Sequence, residues 1–207
     1  MKLPPDEIPM RTISGRLINL AELSPEDISM EEVAQALSRI CRFTGHVENH
    51  YSVAQHSVLV SELLRCMGQS INVQLAGLLH DAAEAYIGDM HGPMKKLFPL
   101  YQELDRKITN TIRTHVLHTY IPDRIFLPTE DWDVIKEADK YAYYMEEYYV
   151  RHADKSIMVD NVPEYLIQMV EAVFPLGAQA ARHQFNFTFT HLVTELKDSR
   201  GRNSSGE

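Results

Sequence analysis

Two neighbouring polar residues, His80 and Asp81, interrupt an apolar part of the chain. Residues 75–79 just before them carry no polar side chain, and a buried imidazole beside a carboxylate is costly unless both are paired, hydrogen-bonded or bound to a metal ion. His56 and Asp139 each lie on or near the apolar stripe of another predicted helix. Two imidazole nitrogens and two carboxylate oxygens would bind one divalent transition metal and leave positions for water and a substrate oxygen.

Two further carboxylates are spaced for proton transfer beside such a metal. Glu84 lies four residues after His80 and three after Asp81, so a continuous helix would project it to the same side. Asp89 follows the helix-ending Gly88 and can return to the same pocket. A bound metal lowers the pKa of a water ligand, while one acid accepts a proton and another delivers one. This combination predicts hydrolysis.

The elements that must position these side chains are predicted to be helices. Capping boxes at Ser29 with Glu32 and at Ser52 with Gln55 begin the first two. A third helix is apolar on most sides and should be the buried central one. The periodicity places it and the later helices over residues 72–86, 100–120, 130–153 and 163–174 and within 178–196.

The remaining segments are predicted to be irregular or short. Residues 11–20 read as extended pieces around a Ser-Gly turn, which favours a small hairpin. Pro122 and Pro128 bracket an irregular link between two helices. The tail, residues 198–207, is polar and rich in Ser and Gly, so we expect it to be disordered.

The composition excludes several classes of protein. The chain has 207 residues, 44% of them hydrophobic, and a formal net charge of −9, which argues against a protein that coats nucleic acid. No apolar run is long enough for a membrane span, and the start lacks a signal-peptide core, so no membrane partner is expected. The only two cysteines, Cys41 and Cys66, are too few for a disulfide framework. We therefore expect a cytoplasmic protein.

The ordered set of His56, His80-Asp81 and Asp139 resembles the HD-domain metal-dependent phosphohydrolases. Residues 80–89 are similar to the bacterial 5′-deoxynucleotidase branch, and equally to phage-type enzymes that cleave deoxynucleoside triphosphates such as dATP. The resemblance implies an all-α fold, an HD-domain helical bundle with a short N-terminal extended or hairpin segment. It divides the chain into an N-terminal extension, an HD phosphohydrolase domain and a disordered tail, over residues 1–28, 29–197 and 198–207.

The resemblance also implies roles for individual residues. It makes His56, His80, Asp81 and Asp139 the ligands of one divalent metal ion. These ligand types do not decide the identity of the metal, which can be Mn, Co, Zn, Fe or Mg. Glu84 and Asp89 match the catalytic acids of the deoxynucleotidase branch. In that branch an Arg followed by an aromatic contacts the nucleotide, and Arg42-Phe43 fits this place, although Trp is usual where Phe43 stands. Lys95 is a further candidate for binding substrate phosphate.

The leading functional hypothesis is therefore hydrolysis of a deoxynucleoside 5′-phosphate at the α-phosphate, with a lean to the triphosphate. A 5′-deoxynucleotidase acting on monophosphates and an inactive nucleotide-binding HD module remain the alternatives. Hydrolysis of (p)ppGpp is less favoured, because that subfamily places an Asp directly after the Glu, whereas Ala85 stands here. The expected partners are a small-molecule nucleotide and further copies of the chain in a homo-oligomer, a dimer or larger.

Overall fold

The computed structural model describes residues 8–120, 129–170 and 173–203. The all-α prediction is confirmed, because helices dominate these residues and the only strands among them form one short hairpin. In chain order the helices are α1 (Met30–Leu37), α2 (Val53–Cys66), α3 (Ile71–Leu78), α4 (Glu84–Ile87), α5 (Gly92–Lys95), α6 (Pro99–Tyr120), α7 (Thr129–Tyr149), α8 (Ser156–Val159), α9 (Glu164–Met169) and α10 (Ala178–Asn203).

The predicted N-terminal hairpin is present as two antiparallel strands, β1 (Pro9–Arg11) and β2 (Leu17–Asn19). Its turn includes Gly15 at φ +87°, a left-handed conformation that glycine adopts without steric cost. Glu32 of α1 accepts a hydrogen bond from the backbone N–H of Ser14 at 2.9 Å, so the turn is fastened to the helical domain.

Both predicted capping boxes begin helices as expected. The Ser29 hydroxyl accepts from the Glu32 N–H at 3.4 Å before α1, and the Ser52 hydroxyl accepts from the Gln55 N–H at 3.3 Å before α2. Each bond satisfies one of the N–H groups that a helix start leaves without an intrahelical partner. The start of α2 matters for the site, because it fixes the register that carries His56.

Helices α2 and α3 pack side by side at the centre and contribute to both apolar clusters of the core. One cluster joins them to α1, α6 and α10, and the other joins them to α7, α8 and α9. At Gly77 of α3 a Cβ would collide with the end of the Leu64 side chain of α2, so a larger residue there requires Leu64 to move. Burial of both helices predicts that substitutions here are felt across the whole domain.

The prediction of one continuous helix over residues 72–86 is wrong. Helix α3 ends at Leu78, residues 79–83 form turns, and α4 begins at Glu84. In the turns the backbone N–H groups of His80 and Ala82 donate to carbonyls three residues earlier, at 3.3 and 3.2 Å, instead of four. This tightening rotates Glu84 away from the position that regular i, i+4 spacing would give it.

Other predicted boundaries also differ. Helix α7 ends at Tyr149 and α9 at Met169, earlier than expected, while α10 continues to Asn203. Residues 198–203, which we expected in a disordered tail, are therefore helical. The predicted link at Pro122 and Pro128 and the end of the tail lie outside the described residues. Within the described ranges, no helix is both long and apolar enough to cross a membrane.

Candidate metal centre and active site

Four side chains from α2, the turn after α3, and α7 converge on one point. His56 Nε2 lies 3.3 Å from His80 Nε2 and 3.1 Å from Asp139 Oδ1. Asp81 Oδ2 lies 3.1 Å from His80 Nε2 and 3.5 Å from His56 Nε2. The ligand atoms of the two histidines and Asp81 all lie within 4.8 Å of one another. The structure thus brings together all four residues that the sequence proposed as metal ligands.

The outward-facing ring nitrogens determine which atoms can bind a metal. His56 Nδ1 lies 2.6 Å from Glu146 Oε1, and His80 Nδ1 lies 2.7 Å from the Gly77 carbonyl oxygen. Both partners accept hydrogen bonds, so both Nδ1 atoms donate, and each neutral ring presents the lone pair of Nε2 to the centre. Two lone pairs facing two carboxylates repel one another unless positive charge, from a bound proton or a metal ion, lies between them. The donor set therefore fits a divalent metal ion.

The electrostatics of the cluster agree with this fit. Burial and the Arg42 charge disfavour protonation of His56, but Glu146 and Asp139 outweigh them and raise its pKa to about 10. Burial likewise disfavours the charged form of Asp81, but His80 and His56 hold its pKa well below its usual range. The surroundings of these groups stabilise positive charge at the point where the ligand atoms meet.

Glu146 is a buried residue beside the cluster that the sequence analysis missed. Its fully buried carboxylate accepts from His56 and, at 3.0 Å, from the Tyr51 hydroxyl. Its other oxygen accepts from Arg42 Nε at 3.2 Å and Nη2 at 3.1 Å. Burial opposes the charge, but Arg42 and His56 lower the pKa of Glu146. A signal was present, because Glu146 follows Asp139 by seven residues, two turns along one helix face.

A cavity of about 460 Å³ opens beside the cluster. It is lined by every predicted catalytic and substrate-binding residue and by two of the metal-ligand candidates, together with neighbours from α5 and α7. The lining residues are Arg42, Phe43, Thr44, Asp81, Glu84, Asp89, Met90, His91, Gly92, Pro93, Lys95, Asp139, Lys140 and Tyr143. The sequence predictions thus identify one connected site.

Glu84 faces this cavity from the first turn of α4, with only 2% of its side chain exposed. Lys95 Nζ donates to Glu84 Oε1 at 2.8 Å, while Oε2 has no hydrogen-bond partner within the described ranges. Burial and the charge of Asp81 raise the pKa of Glu84, against the opposing effect of Lys95. A buried carboxylate with a raised pKa is suited to exchange protons near neutral pH.

Asp89 reaches the cavity because the chain turns sharply after α4. Gly88 has φ +77°, donates its N–H to the Glu84 carbonyl at 2.8 Å, and accepts from the Tyr101 hydroxyl at 2.7 Å. Burial raises the pKa of Asp89, against the lowering effect of Arg42. The second predicted acid is thereby held on a fixed turn.

Arg42 and Phe43 lie at the opposite wall, in a strained turn. Phe43 and Thr44 have φ values of +56° and +54°, which non-glycine residues rarely adopt. Two guanidinium groups approach the Phe43 ring, with Arg42 Cζ 5.3 Å and Arg151 Cζ 4.9 Å from its centroid, and the Tyr143 ring centroid is 6.4 Å away. Such strain persists where surrounding contacts over-determine the backbone, often at binding sites.

The fold and the four-residue cluster define the class of protein. Residues 53–155, which include all four proposed ligands, match the HD domain. The chain is 37% identical over 132 residues to the uncharacterized protein YfdR of Escherichia coli K12, which covers 60% of this chain and 71% of that protein. It is 36% identical over 141 residues to an uncharacterized protein of Rhodobacter capsulatus, which covers 66% of this chain and 69% of that protein.

The chain therefore belongs to the HD-domain family. This makes it a hydrolase of the HD superfamily, in which metal-dependent phosphohydrolases are the expected class. The His-His-Asp cluster agrees with a divalent metal centre.

Proposed function

We propose that this protein hydrolyses deoxynucleoside 5′-phosphates at the α-phosphate. The observation that carries the proposal is one cavity that joins the metal-ligand cluster to an aromatic wall and to basic side chains. A phosphate near Asp81 and Asp139 leaves a base within reach of Phe43 and Tyr143, whose rings suit stacking. These features match the two ends of a nucleotide.

His56, His80, Asp81 and Asp139 would hold the divalent ion, which would supply Lewis-acid activation of water and neutralise phosphoryl charge. Arg42 orients the phosphoryl group through its guanidinium N–H donors. Glu84 and Asp89 handle the two protons of the reaction: one accepts the proton of the attacking water, and the other delivers a proton to the leaving 5′ oxygen. Water adds to the α-phosphorus and the bond to the 5′ oxygen breaks, so a triphosphate substrate yields nucleoside and triphosphate.

The triphosphate is the leading substrate class. Three basic side chains, Arg42, Lys95 and Lys140, line the cavity, which is more than a single phosphate needs. The monophosphate is the second candidate, because two of them are already paired, Arg42 with Glu146 at 3.1 Å and Lys95 with Glu84 at 2.8 Å. In that case the products are nucleoside and phosphate.

The deciding experiment incubates the protein and Mn²⁺ with deoxynucleoside mono- and triphosphates in ¹⁸O-labelled water. Nucleoside with singly labelled triphosphate supports the leading proposal, and nucleoside with labelled phosphate from the monophosphate supports the second. Labelled phosphate released from the γ position contradicts attack at the α-phosphorus. Nucleotide binding without any product, with Mn²⁺, Co²⁺, Zn²⁺, Fe²⁺ and Mg²⁺ alike, favours the inactive binding module.

The cytoplasmic location and the homo-oligomeric state stay predictions. Sedimentation velocity tests the latter, since a single species at the mass of one chain would contradict it.

A further inference from the structure

We infer that Glu146 is a positioning residue that fixes the metal ligand His56 and the substrate arginine Arg42 together. It touches neither the cavity-lining acids nor, in this geometry, the point where the four ligand atoms meet. Its two carboxylate oxygens accept hydrogen bonds from different partners. Oε1 accepts from the imidazole of His56, and Oε2 accepts from the guanidinium of Arg42. The part concerning Arg42 rests on the proposed function, whereas the part concerning His56 does not.

The number of donors explains why a carboxylate stands here. Four N–H or O–H groups point at Glu146, at distances of 2.6 to 3.2 Å: one from His56, one from Tyr51 and two from Arg42. An ionised carboxylate accepts about four hydrogen bonds and donates none. A glutamine of the same shape offers one oxygen and one NH₂ group, so a donor would face donors on one side.

This geometry couples two functions that are otherwise separate. The hydrogen bond to Nδ1 orients His56 so that Nε2 faces the other ligand atoms. The bonds to Nε and Nη2 hold Arg42 so that its Nη1 lies 3.8 Å from Asp81 Oδ2, at the cavity wall. A change at Glu146 therefore disturbs metal binding and phosphate binding at once, which a purely structural buried acid would not do.

The test compares Glu146→Gln with Glu147→Gln, a matched control. Glu147 is the next residue of α7, is also buried, and pairs with Arg151. Calorimetry with Mn²⁺ alone should show about 10- to 100-fold weaker binding for Glu146→Gln. Glu147→Gln should stay within about threefold of wild type, because its partner Arg151 is not one of the proposed metal ligands. Equal Mn²⁺ affinity of both variants and wild type would overturn the inference.

Inorganic phosphate is the probe for Arg42 and separates this inference from the proposed function. In the Mn²⁺-saturated proteins, Arg42→Lys should weaken phosphate binding more in the wild-type background than in the Glu146→Gln background, because Arg42 is already misplaced there. Additive effects would contradict the coupling. Loss of nucleotide hydrolysis in every assay, with these binding differences intact, would refute only the proposed function.

A measurement on the unmodified chain covers the case in which Glu146→Gln fails to fold. In the Zn²⁺-loaded protein with ¹⁵N-labelled histidine, Nδ1 of His56 should carry a proton that is strongly shifted downfield by its bond to Glu146. A His56 ring that carries its proton on Nε2 would contradict the positioning role.

Discussion

The ion pair between Lys95 and Glu84 links the stability of the protein to its chemistry. Lys95 Nζ lies 2.8 Å from Glu84 Oε1, and the two side chains are 24% and 2% exposed. Substitution Lys95→Met keeps an unbranched apolar stem but leaves a buried carboxylate without its cation. We therefore predict that this single change raises the pKa of Glu84 further and destabilises the fold at a pH where wild-type Glu84 is ionised.

The magnitude follows from the two ways in which Glu84 can respond. Removing one partner of a buried ion pair costs about 3–5 kcal/mol if the other stays charged. Glu84 avoids part of this cost by binding a proton, since burial and Asp81 already raise its pKa. We expect a loss of about 2 kcal/mol at about pH 10, where wild-type Glu84 is ionised, which lowers Tm by about 4–8 °C for a chain of this size.

The pH dependence has a definite sign. Burial and Asp81 raise the folded-state pKa of Glu84 to about 9 in the wild type, and removal of Lys95, which lowers it, should raise it further. The free energy of unfolding of Lys95→Met should therefore lie close to wild type at pH 7, where Glu84 is protonated in both folded proteins, and fall behind it as the pH rises through about 9.

Urea unfolding of the chelator-treated proteins is the assay, with Lys96→Met as the control. Lys96 is the exposed neighbour of Lys95, so its substitution should change stability by less than about 0.5 kcal/mol. The double variant Lys95→Met with Glu84→Gln should regain most of the loss, because no unpaired charge remains. If Lys95→Met is as stable as Lys96→Met at about pH 10, the reasoning about this pair fails.

Three further changes give separate tests. Glu84→Gln should keep Mn²⁺ bound but lower kcat about 100-fold or more, and an unchanged kcat would remove Glu84 from the mechanism. Gly77→Val should destabilise by about 1–3 kcal/mol in urea unfolding, because the new side chain meets Leu64 of α2. Adding Leu64→Ala should restore part of this stability. No restoration would contradict the contact between the two positions. Glu32→Gln should cost about 1–2 kcal/mol at pH 7, since Glu32 accepts from Ser14. Hydrogen bonds outweigh desolvation and lower the pKa of Glu32 to about 2, so this stability is present above pH 4.5 and is lost toward pH 2, where Glu32→Gln and wild type should converge.

The proposed metal ligands could be predicted from the sequence because they combine polar chemistry with apolar surroundings. His56 and Asp139 stand out as polar residues on or near apolar helix stripes, and His80-Asp81 ends an apolar run. The spacing of Glu84 also pointed to the correct cavity, although the continuous helix behind that argument was wrong. The turns at residues 79–83 depend on backbone hydrogen bonds to carbonyls three residues earlier, which a pattern of apolar side chains does not reveal.

The partners of the charged residues could not be predicted. Arg42 and Lys95 were both interpreted as phosphate-binding cations, yet each already pairs with a buried carboxylate. Glu146 lies 104 residues after Arg42 and 90 after His56, so only the packing of α7 against α2 brings the three together. Sequence periodicity identifies which face of a helix is buried, but it does not identify which side chain meets it there.

The most direct test of the central claim is the metal content of the protein and of His80→Ala, measured by elemental analysis after equilibration with Mn²⁺. His183→Ala is the control, because this exposed histidine lies on α10 and lines a different cavity. We predict about one Mn²⁺ per chain in wild type and in His183→Ala, and loss of the ion in His80→Ala, which removes one of its four ligands. Full Mn²⁺ occupancy in His80→Ala would contradict the metal centre on which the proposed function depends.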